Sequence, residues 1–346
     1  MRGAAGERAS AGGAGATLLD VRALSVSVET ASGRVRVVDD VSFSIPRGRA
    51  LALVGESGCG KTMTALSIVG LLPEPGVRVE SGRVLFDGLD LASLDDAAMR
   101  RVRGRRIGFV FQEPAAALDP VRSCGDQVAE AVRAHERVPA REAWRRAVEA
   151  LRDAGVPAPE RRARAYPHEL SGGLRQRAVI AASLVAHPEL LIADEPTASL
   201  DVTIQVQIVD LLSRLRRERS LSLLLITHDL ALAAEAADEV AVMYAGRIVE
   251  SGPVARVFEA PRHPYTLGLL EAAPAAAGEG PLRAIPGTVP APGELSAGCR
   301  FAPRCFLRED ICVREEPPLE AGPDPSRAAR CWFSDRVAAP APRTPR

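Results

Sequence analysis

Eight consecutive residues of this chain have the types and spacing needed to hold a polyphosphate. Gly55-Glu56-Ser57-Gly58-Cys59-Gly60-Lys61-Thr62 fits the P-loop pattern G-x-x-x-x-G-K-[S/T], and Lys61 is the single lysine in a chain with 43 arginines. Arginine is a broad planar fork, whereas lysine is a compact point charge on a flexible stem. A tight loop wrapped round β- and γ-phosphates has room only for the second. Glycines 55, 58 and 60 let the backbone come close without Cβ clashes. Backbone N–H groups and the N-terminus of the following helix then point at phosphate oxygens. Lys61 reaches the β/γ-phosphates and the Thr62 hydroxyl ligates Mg²⁺. The run Leu190-Leu191-Ile192-Ala193-Asp194-Glu195 is an apolar strand ending in two carboxylates. Asp194 stands where it can hold Mg²⁺, commonly through water, and Glu195 where it can polarise an attacking water. Gln112 in Phe111-Gln112-Glu113-Pro114 is a candidate to reach the metal or the water, and His228 in Ile226-Thr227-His228-Asp229 is a further candidate. This combination points to a nucleotide triphosphatase.

Such residues work only if the fold brings them to one edge. Residues 18–28 and 35–45 alternate apolar and polar as half-buried strands do. Ala50–Val54 is a short apolar strand running into the glycine-rich loop and a helix expected at 61–72. Strands are expected at 83–87 and 107–111, then helices at 123–136, 140–154 and about 174–186. Strand 190–193, helix 202–218, strand 221–226, helix 230–237 and strand 240–244 complete an alternating pattern. Alternation of this kind implies a mostly parallel sheet covered by helices. The chemical residues fall at C-terminal ends of its strands, the edge where open α/β sheets bind ligands. After about residue 257 the chain turns rich in proline, alanine and cysteine, which marks a smaller second unit; 1–16 and 336–346 read as disordered tails.

Composition narrows the partners. With 44 acidic and 44 basic residues the net charge is zero, so there is no overall footprint for nucleic acid or anionic lipid. The arginine-rich stretch 100–106 reads as a solvated loop. No apolar run approaches the ~20 residues that span a bilayer, and the first 16 residues lack a signal-peptide core. The expectation is a soluble, cytoplasmic protein that meets a membrane only through partners. Cys59 and Cys124 are isolated and read as reduced thiols, while Cys299, Cys305, Cys312 and Cys331 are grouped at spacings of x5, x6 and x18. Grouped cysteines in a cytosolic chain more often bind metal than form disulfides. Four thiolates suit Zn²⁺ or an iron–sulfur cluster, and the absence of C-x₂-C favours a cluster.

The segment Leu170-Ser171-Gly172-Gly173-Leu174-Arg175-Gln176-Arg177 is physically a second anion site, a serine and two glycines opening a helix. Taken in order, the P-loop, Gln112, this signature, Asp194-Glu195, Ser199-Leu200-Asp201 and His228 resemble an ABC transporter ATPase over about residues 17–335. The resemblance implies an α/β P-loop NTPase (RecA-like) core on a parallel sheet. To this it adds an N-terminal antiparallel β subdomain, an inserted helical subdomain and a small cysteine-containing C-terminal extension. The implied boundaries are 17–257 for the ATPase domain, about 113–180 for the helical insertion that touches the permease, and 258–335 for the extension. It further implies that Ser171, Gly172 and Gly173 close over ATP held by another subunit's P-loop, that Asp201 bridges the two sites, and that Lys61, Mg²⁺ and His228 balance developing charge. With one P-loop and one signature, the chain must pair with a homologous ATPase or with itself, head to tail. The family usually stacks adenine on an aromatic upstream of the P-loop. Here the first aromatic is Phe43, which leaves Val35 or Val37 to pack on the base or Arg34 or Arg36 to stack on it, and ATP preference rests on the resemblance.

Three segments, His263-Pro264-Tyr265-Thr266, Ile285-Pro286-Gly287 and Cys299-Arg300-Phe301-Ala302-Pro303-Arg304-Cys305, resemble the C-terminal extension of oligopeptide/dipeptide importer ATPases. Tyr166-Pro167-His168-Glu169-Leu170 and Asp201-Val202-Thr203-Ile204-Gln205 are similar to the first of the two ATPases in such importers. This implies a [4Fe–4S] cluster on the four cysteines with a structural role, two transmembrane permease subunits, an external substrate-binding protein, and a peripheral place on the cytoplasmic face of the inner membrane. The same machinery importing nickel or another small solute is an alternative. A soluble ABC ATPase acting on ribosomes or DNA is another, although those carry two ATPase halves or a long coiled-coil insertion.

Overall fold

The computed structural model describes residues 16–337 apart from 32, 74, 199, 274–283 and 296. Ser199 and nearly all of the two tails expected to be disordered lie outside the described residues. Strand β1 (Thr17–Thr30) sits between β2 (Gly33–Pro46) and β4 (Val77–Phe86) in an antiparallel sheet closed by the short β5 (Leu89–Asp90), in the order β2-β1-β4-β5. The larger sheet contains β3 (Ala50–Val54), β6 (Ile107–Val110), β7 (Leu190–Asp194), β8 (Ser222–Thr227), β9 (Glu239–Tyr244) and β10 (Arg247–Pro253), with β11 (Glu320–Ala321) and β12 (Ala328–Ala329) at one end. Its order is β11-β12-β10-β9-β3-β8-β7-β6, and the run from β9 to β6 is parallel. Both faces of that run are covered, so its strands are continuous apolar stretches such as LLIAD and SLLLIT, buried at every position. Leu51 and Leu53 of β3 point into the core shared with the antiparallel sheet, while Ala50 packs on the helical side and Ala52 and Val54 on the C-terminal side.

Helix α1 (Lys61–Ile68) follows the P-loop, and α2 (Asp96–Val102) precedes β6. The expected helix to residue 72 stops early because Gly70 turns left-handed (φ 59) and Arg103 donates from Nε to Val69 O (2.6 Å) and from Nη2 to Gly70 O (2.7 Å). The stretch 100–106 is therefore not a solvated loop. Arg100 and Arg101 close α2, Arg103 caps α1, and Arg106 reaches Glu189 (2.6 Å) and Asp87 (2.9 Å).

Between β6 and β7 lie α3 (Pro114–Ala117), α4 (Cys124–His135), α5 (Ala140–Asp153), α6 (Pro159–Arg162) and α7 (Gly172–Leu184). The apolar faces of α4, α5 and α7 share one core with α8 (Val202–Arg219) and α9 (Leu230–Ala236). The signature glycines lie inside the first turn of α7, two residues earlier than expected, behind Ser171 as N-cap.

Strand β10 has no counterpart in the expected pattern. It returns from β9 through a two-residue hairpin, Ala245-Gly246, with both residues at positive φ (43 and 87), the geometry that matches strand twist. Helices α10 (Val254–Glu259), α11 (Pro264–Ala272) and α12 (Asp310–Arg314) follow, and β12 pairs with β10. Tyr265, Leu270 and Phe301 share a core with Val54, Val242 and Tyr244, so the C-terminal segment is built onto the β3–β9 face of the main sheet. No helix among the described residues is long and apolar enough to cross a membrane.

Candidate ATP site

The P-loop connects the C-terminal end of β3 to α1. Gly60 is the N-cap of α1 at φ 106, and a Cβ there would lie 2.6 Å from Val37 O. Only glycine can supply that backbone against the neighbouring strand. Lys61 is buried, and its Nζ donates to Gly55 O (2.8 Å) and Glu56 O (3.0 Å), which keeps the ammonium at the centre of the loop. Cys59 packs beneath it, its thiol pushed up by burial. Ser57 and Gly58 form the exposed crest.

The two strand-end carboxylates have different surroundings. Asp194 is 2% exposed, and burial raises its pKa. The neighbouring Thr62 side chain acts the other way and lowers it, yet Oδ1 has no hydrogen-bond partner among the described residues. A buried carboxylate oxygen left unpaired is costly. An orphaned oxygen beside a hydroxyl and an ammonium-bearing loop fits a divalent cation shared with phosphate.

Glu195 leaves β7 in the left-handed region (φ 43) while its amide donates to Ile226 O of β8 (2.9 Å). Holding a non-glycine residue there costs about 1–3 kcal/mol, and such strain concentrates at functional sites. The turn brings three sequence-distant groups together. Gln112 Nε2, just past β6, donates to Glu195 Oε2 (3.3 Å), and His228 Nδ1, just past β8, lies 3.4 Å from the same oxygen.

Ser171, Gly172, Gly173 and Asp201 form a second, exposed cluster. Asp201 caps α8 by accepting from Ile204 N (3.0 Å), and α7 approaches α8 so closely that a Cβ on Gly173 would lie 2.8 Å from Ile204 Cγ2. Among the described residues no hydrogen bond joins this cluster to the chain's own P-loop. Near the position expected for the base, Arg34 pairs with Glu29 (3.1 Å) and Arg36 with Glu80 (2.7 Å), and Val35 and Val37 are half-buried.

Contacts from the far end of the chain escape sequence reasoning. Tyr265 and Arg304 both bind Glu56 of the P-loop. They stand 209 and 248 positions from it, and nothing in their local pattern announces the pairing.

Cys299, Cys305, Cys312 and Cys331 line one small cavity with His263, Phe301 and Trp332. Burial pushes the Cys299 thiol up to about 12 and that of Cys305 up to about 11, and raises Cys331. Backbone amides of Leu307 and Phe333 donate to the sulfurs of Cys305 (3.3 Å) and Cys331 (3.4 Å). Among the described residues, no three histidine, cysteine or carboxylate side chains are gathered as a single metal ion requires.

A glycine-rich loop opening a helix at the end of a central parallel strand, beside two strand-end carboxylates, defines a P-loop nucleotide triphosphatase. The family described as "ABC transporter" matches residues 38–198, and "Oligopeptide/dipeptide transporter, C-terminal region" matches 249–312. A putative peptide import ATP-binding protein of Brucella melitensis is 47% identical over 335 residues, 93% of this chain and 98% of that one. The oligopeptide transport ATP-binding protein OppD of Bacillus subtilis is 46% identical over 304 residues, covering 87% and 85%. Among solved structures, the dimeric ATP-binding cassette MJ0796 bound to ADP and Pi superposes with TM-score 0.62 at 26% identity, covering 68% of this chain and 99% of that one. CbiO1 of Clostridium perfringens gives 0.60 at 29%, covering 70% and 91%. The chain belongs to the ATP-binding ATPases of the ABC transporter family, with the C-terminal region of the oligopeptide/dipeptide branch.

Proposed function

We propose that the chain is the ATP-hydrolysing subunit of a peptide importer, paired with a homologous ATPase or a second copy of itself. The pair acts on two permease subunits at the cytoplasmic face of the inner membrane, and an external binding protein delivers the cargo. The names of the relatives and the match to the oligopeptide/dipeptide region support peptide as that cargo. The observation that carries the chemistry is the meeting of Gln112 and His228 on Glu195, next to the Thr62–Asp194 pair.

Amides of the P-loop from Gly55 to Thr62 and the Lys61 ammonium bind the β- and γ-phosphates. Thr62, Asp194 and Gln112 are the groups that hold Mg²⁺, which when bound neutralises charge on the phosphates. Glu195 takes the proton of a water attacking the γ-phosphorus in line, and its hydrogen bond from Gln112 fixes the carboxylate for that task. His228 orients Glu195 and balances charge on the γ-phosphate oxygens. Ser171, Gly172 and Gly173 complete the partner's site, with Asp201 between the two. The helical segment 113–180 engages the permease, and closure around ATP moves it.

For the four cysteines that share one cavity, the resemblance to the oligopeptide/dipeptide C-terminal region supports a [4Fe–4S] cluster, with Zn²⁺ as the alternative. Amide-to-sulfur bonds of the kind at Cys305 and Cys331 tune such clusters. The cluster's role is structural, because ATP hydrolysis needs no redox centre. Anaerobically purified protein should carry about four irons per chain; one zinc selects the other metal, and neither metal retires the assignment.

Purification from detergent-solubilised native membranes, with mass spectrometry of what accompanies the chain, tests the transport reading. Two multi-span permeases and a second ATPase are expected, and the accompanying binding protein separates peptide from nickel or another solute. Ribosomal or DNA-repair proteins without any permease would overturn transport and leave the ATPase chemistry standing.

A further inference from the structure

The loop bounded by Cys299 and Cys305 reaches the nucleotide site. Arg304, buried, gives both terminal nitrogens to the Glu56 carboxylate: Nη1 to Oε2 at 2.7 Å and Nη2 to Oε1 at 3.0 Å. Its Nε donates to Pro286 O at 2.8 Å, so the guanidinium plane is fixed from behind. The Glu56 amide donates to the Tyr265 hydroxyl at 2.8 Å. One residue of the P-loop is thus held by both side chain and backbone, and its carbonyl in turn accepts from Lys61 Nζ.

The holding groups are themselves packed. The Tyr265 ring lies 4.6 Å from Tyr244 and 5.4 Å from Phe301, and Phe301 lines the cysteine cavity. From the same loop Arg300 donates to Ala245 O (2.5 Å) and pairs with Asp39 of β2, the strand whose Val37 carbonyl backs Gly60.

A glycine-rich loop left to itself samples many conformations and loses that freedom when it closes on phosphate. A bidentate arginine–carboxylate pair is both strong and directional. We propose that Arg304 and Tyr265 are positioning residues of the phosphate site: they clamp Glu56, and through it Lys61, so that the loop between Cys299 and Cys305 sets how tightly the chain binds ATP. This rests on the P-loop being the ATP site. Neither residue touches the phosphates, so the clamp acts on binding more than on turnover at saturating ATP.

The test is titration of the purified full-length chain with a fluorescent ATP analogue, methylanthraniloyl-ATP, in the presence of Mg²⁺. Tyr265→Phe removes one oxygen and should weaken binding about threefold. Arg304→Gln should weaken it about tenfold, with Arg304→Lys in between, since lysine keeps the charge and loses the fork. In a Glu56→Gln background, Arg304→Gln should add little, because a clamp lost once cannot be lost again. General destabilisation would instead add in full. Steady-state assays should place the change in KM and leave kcat within about twofold. Wild-type affinity in both Tyr265→Phe and Arg304→Gln, or full additivity with Glu56→Gln, overturns the proposal. Should Arg304→Gln fail to fold, Tyr265→Phe decides alone. A wild-type chain that does not bind the analogue overturns the ATP site itself and the clamp with it, a result distinct from intact binding in the variants.

Discussion

Glu195→Gln exchanges one carboxylate oxygen for an amide nitrogen and keeps length and shape. The backbone at φ 43 is unchanged in its demands, and an amide oxygen can still accept from Gln112. Stability should hardly move. The proton acceptor is gone, and removing a general base costs typically 10²–10⁴ in rate, or about 3–5 kcal/mol at 1.36 kcal/mol per decade. Binding should move the other way. The negative charge of Glu195 helps raise the pKa of Asp194, after burial. Its removal lets Asp194 ionise more readily and present a full carboxylate to Mg²⁺. The variant should bind Mg·ATP as well as the wild type or better, while phosphate release falls at least ~100-fold. Turnover within about tenfold of wild type, or lost ATP binding, would refute the assignment of Glu195 as base.

Asp194→Asn should raise the melting temperature of the nucleotide-free protein by a few °C at most while abolishing Mg²⁺-dependent hydrolysis. Because the folded pKa of Asp194 lies above its unfolded value, its ionisation cost is absent at low pH and grows as pH rises through the folded value. The gain should therefore be seen at pH 7 and vanish in acid. Gly60→Ala forces an L-residue to φ 106 and a Cβ to 2.6 Å from Val37 O, and should lose ATP binding and about 2 kcal/mol or more of stability by denaturant titration. Asp39→Ala removes the shared acceptor of Arg247 (2.8 Å) and Arg300; Arg300 keeps the Ala245 carbonyl and Arg247 keeps Glu316 at 3.4 Å, so the loss should cost about 2 kcal/mol, measured as a shift in the urea midpoint.

The parallel core was legible because its signals are local. Ala50–Val54 and Leu190–Asp194 are apolar strands running straight into polar site residues, and both are found where the pattern put them. The meeting of Gln112 and His228 on Glu195 followed only loosely from strand order, since it needs β6, β7 and β8 side by side in register. Strand β10 was hidden because its hairpin uses Ala245 in a left-handed conformation, where sequence leads one to look for asparagine or glycine. Helix α1 was drawn too long because its stop is set by Arg103, 33 positions beyond Gly70. The arginines at 100–106 looked like surface, because a caps-and-salt-bridges role depends on partners no window contains.

Glu250 of β10 is wholly buried, and it accepts from the amides of Arg262 (2.8 Å) and His263 (3.0 Å) and from Arg327 Nη2 (3.2 Å). This carboxylate ties the order of synthesis to the timing of folding. The P-loop leaves the ribosome early, but Arg327, the one cation among these partners of Glu250, and the β12 edge that covers β10 follow some 70 residues after β10 itself. Until then the nascent chain carries an uncovered strand edge and a desolvated acid without its cation. A ribosome-bound chain halted just past β10 should be protease-sensitive and chaperone-bound, and one released past Arg330 should not. Completion of this end of the sheet should thereby wait for the residues up to Arg330.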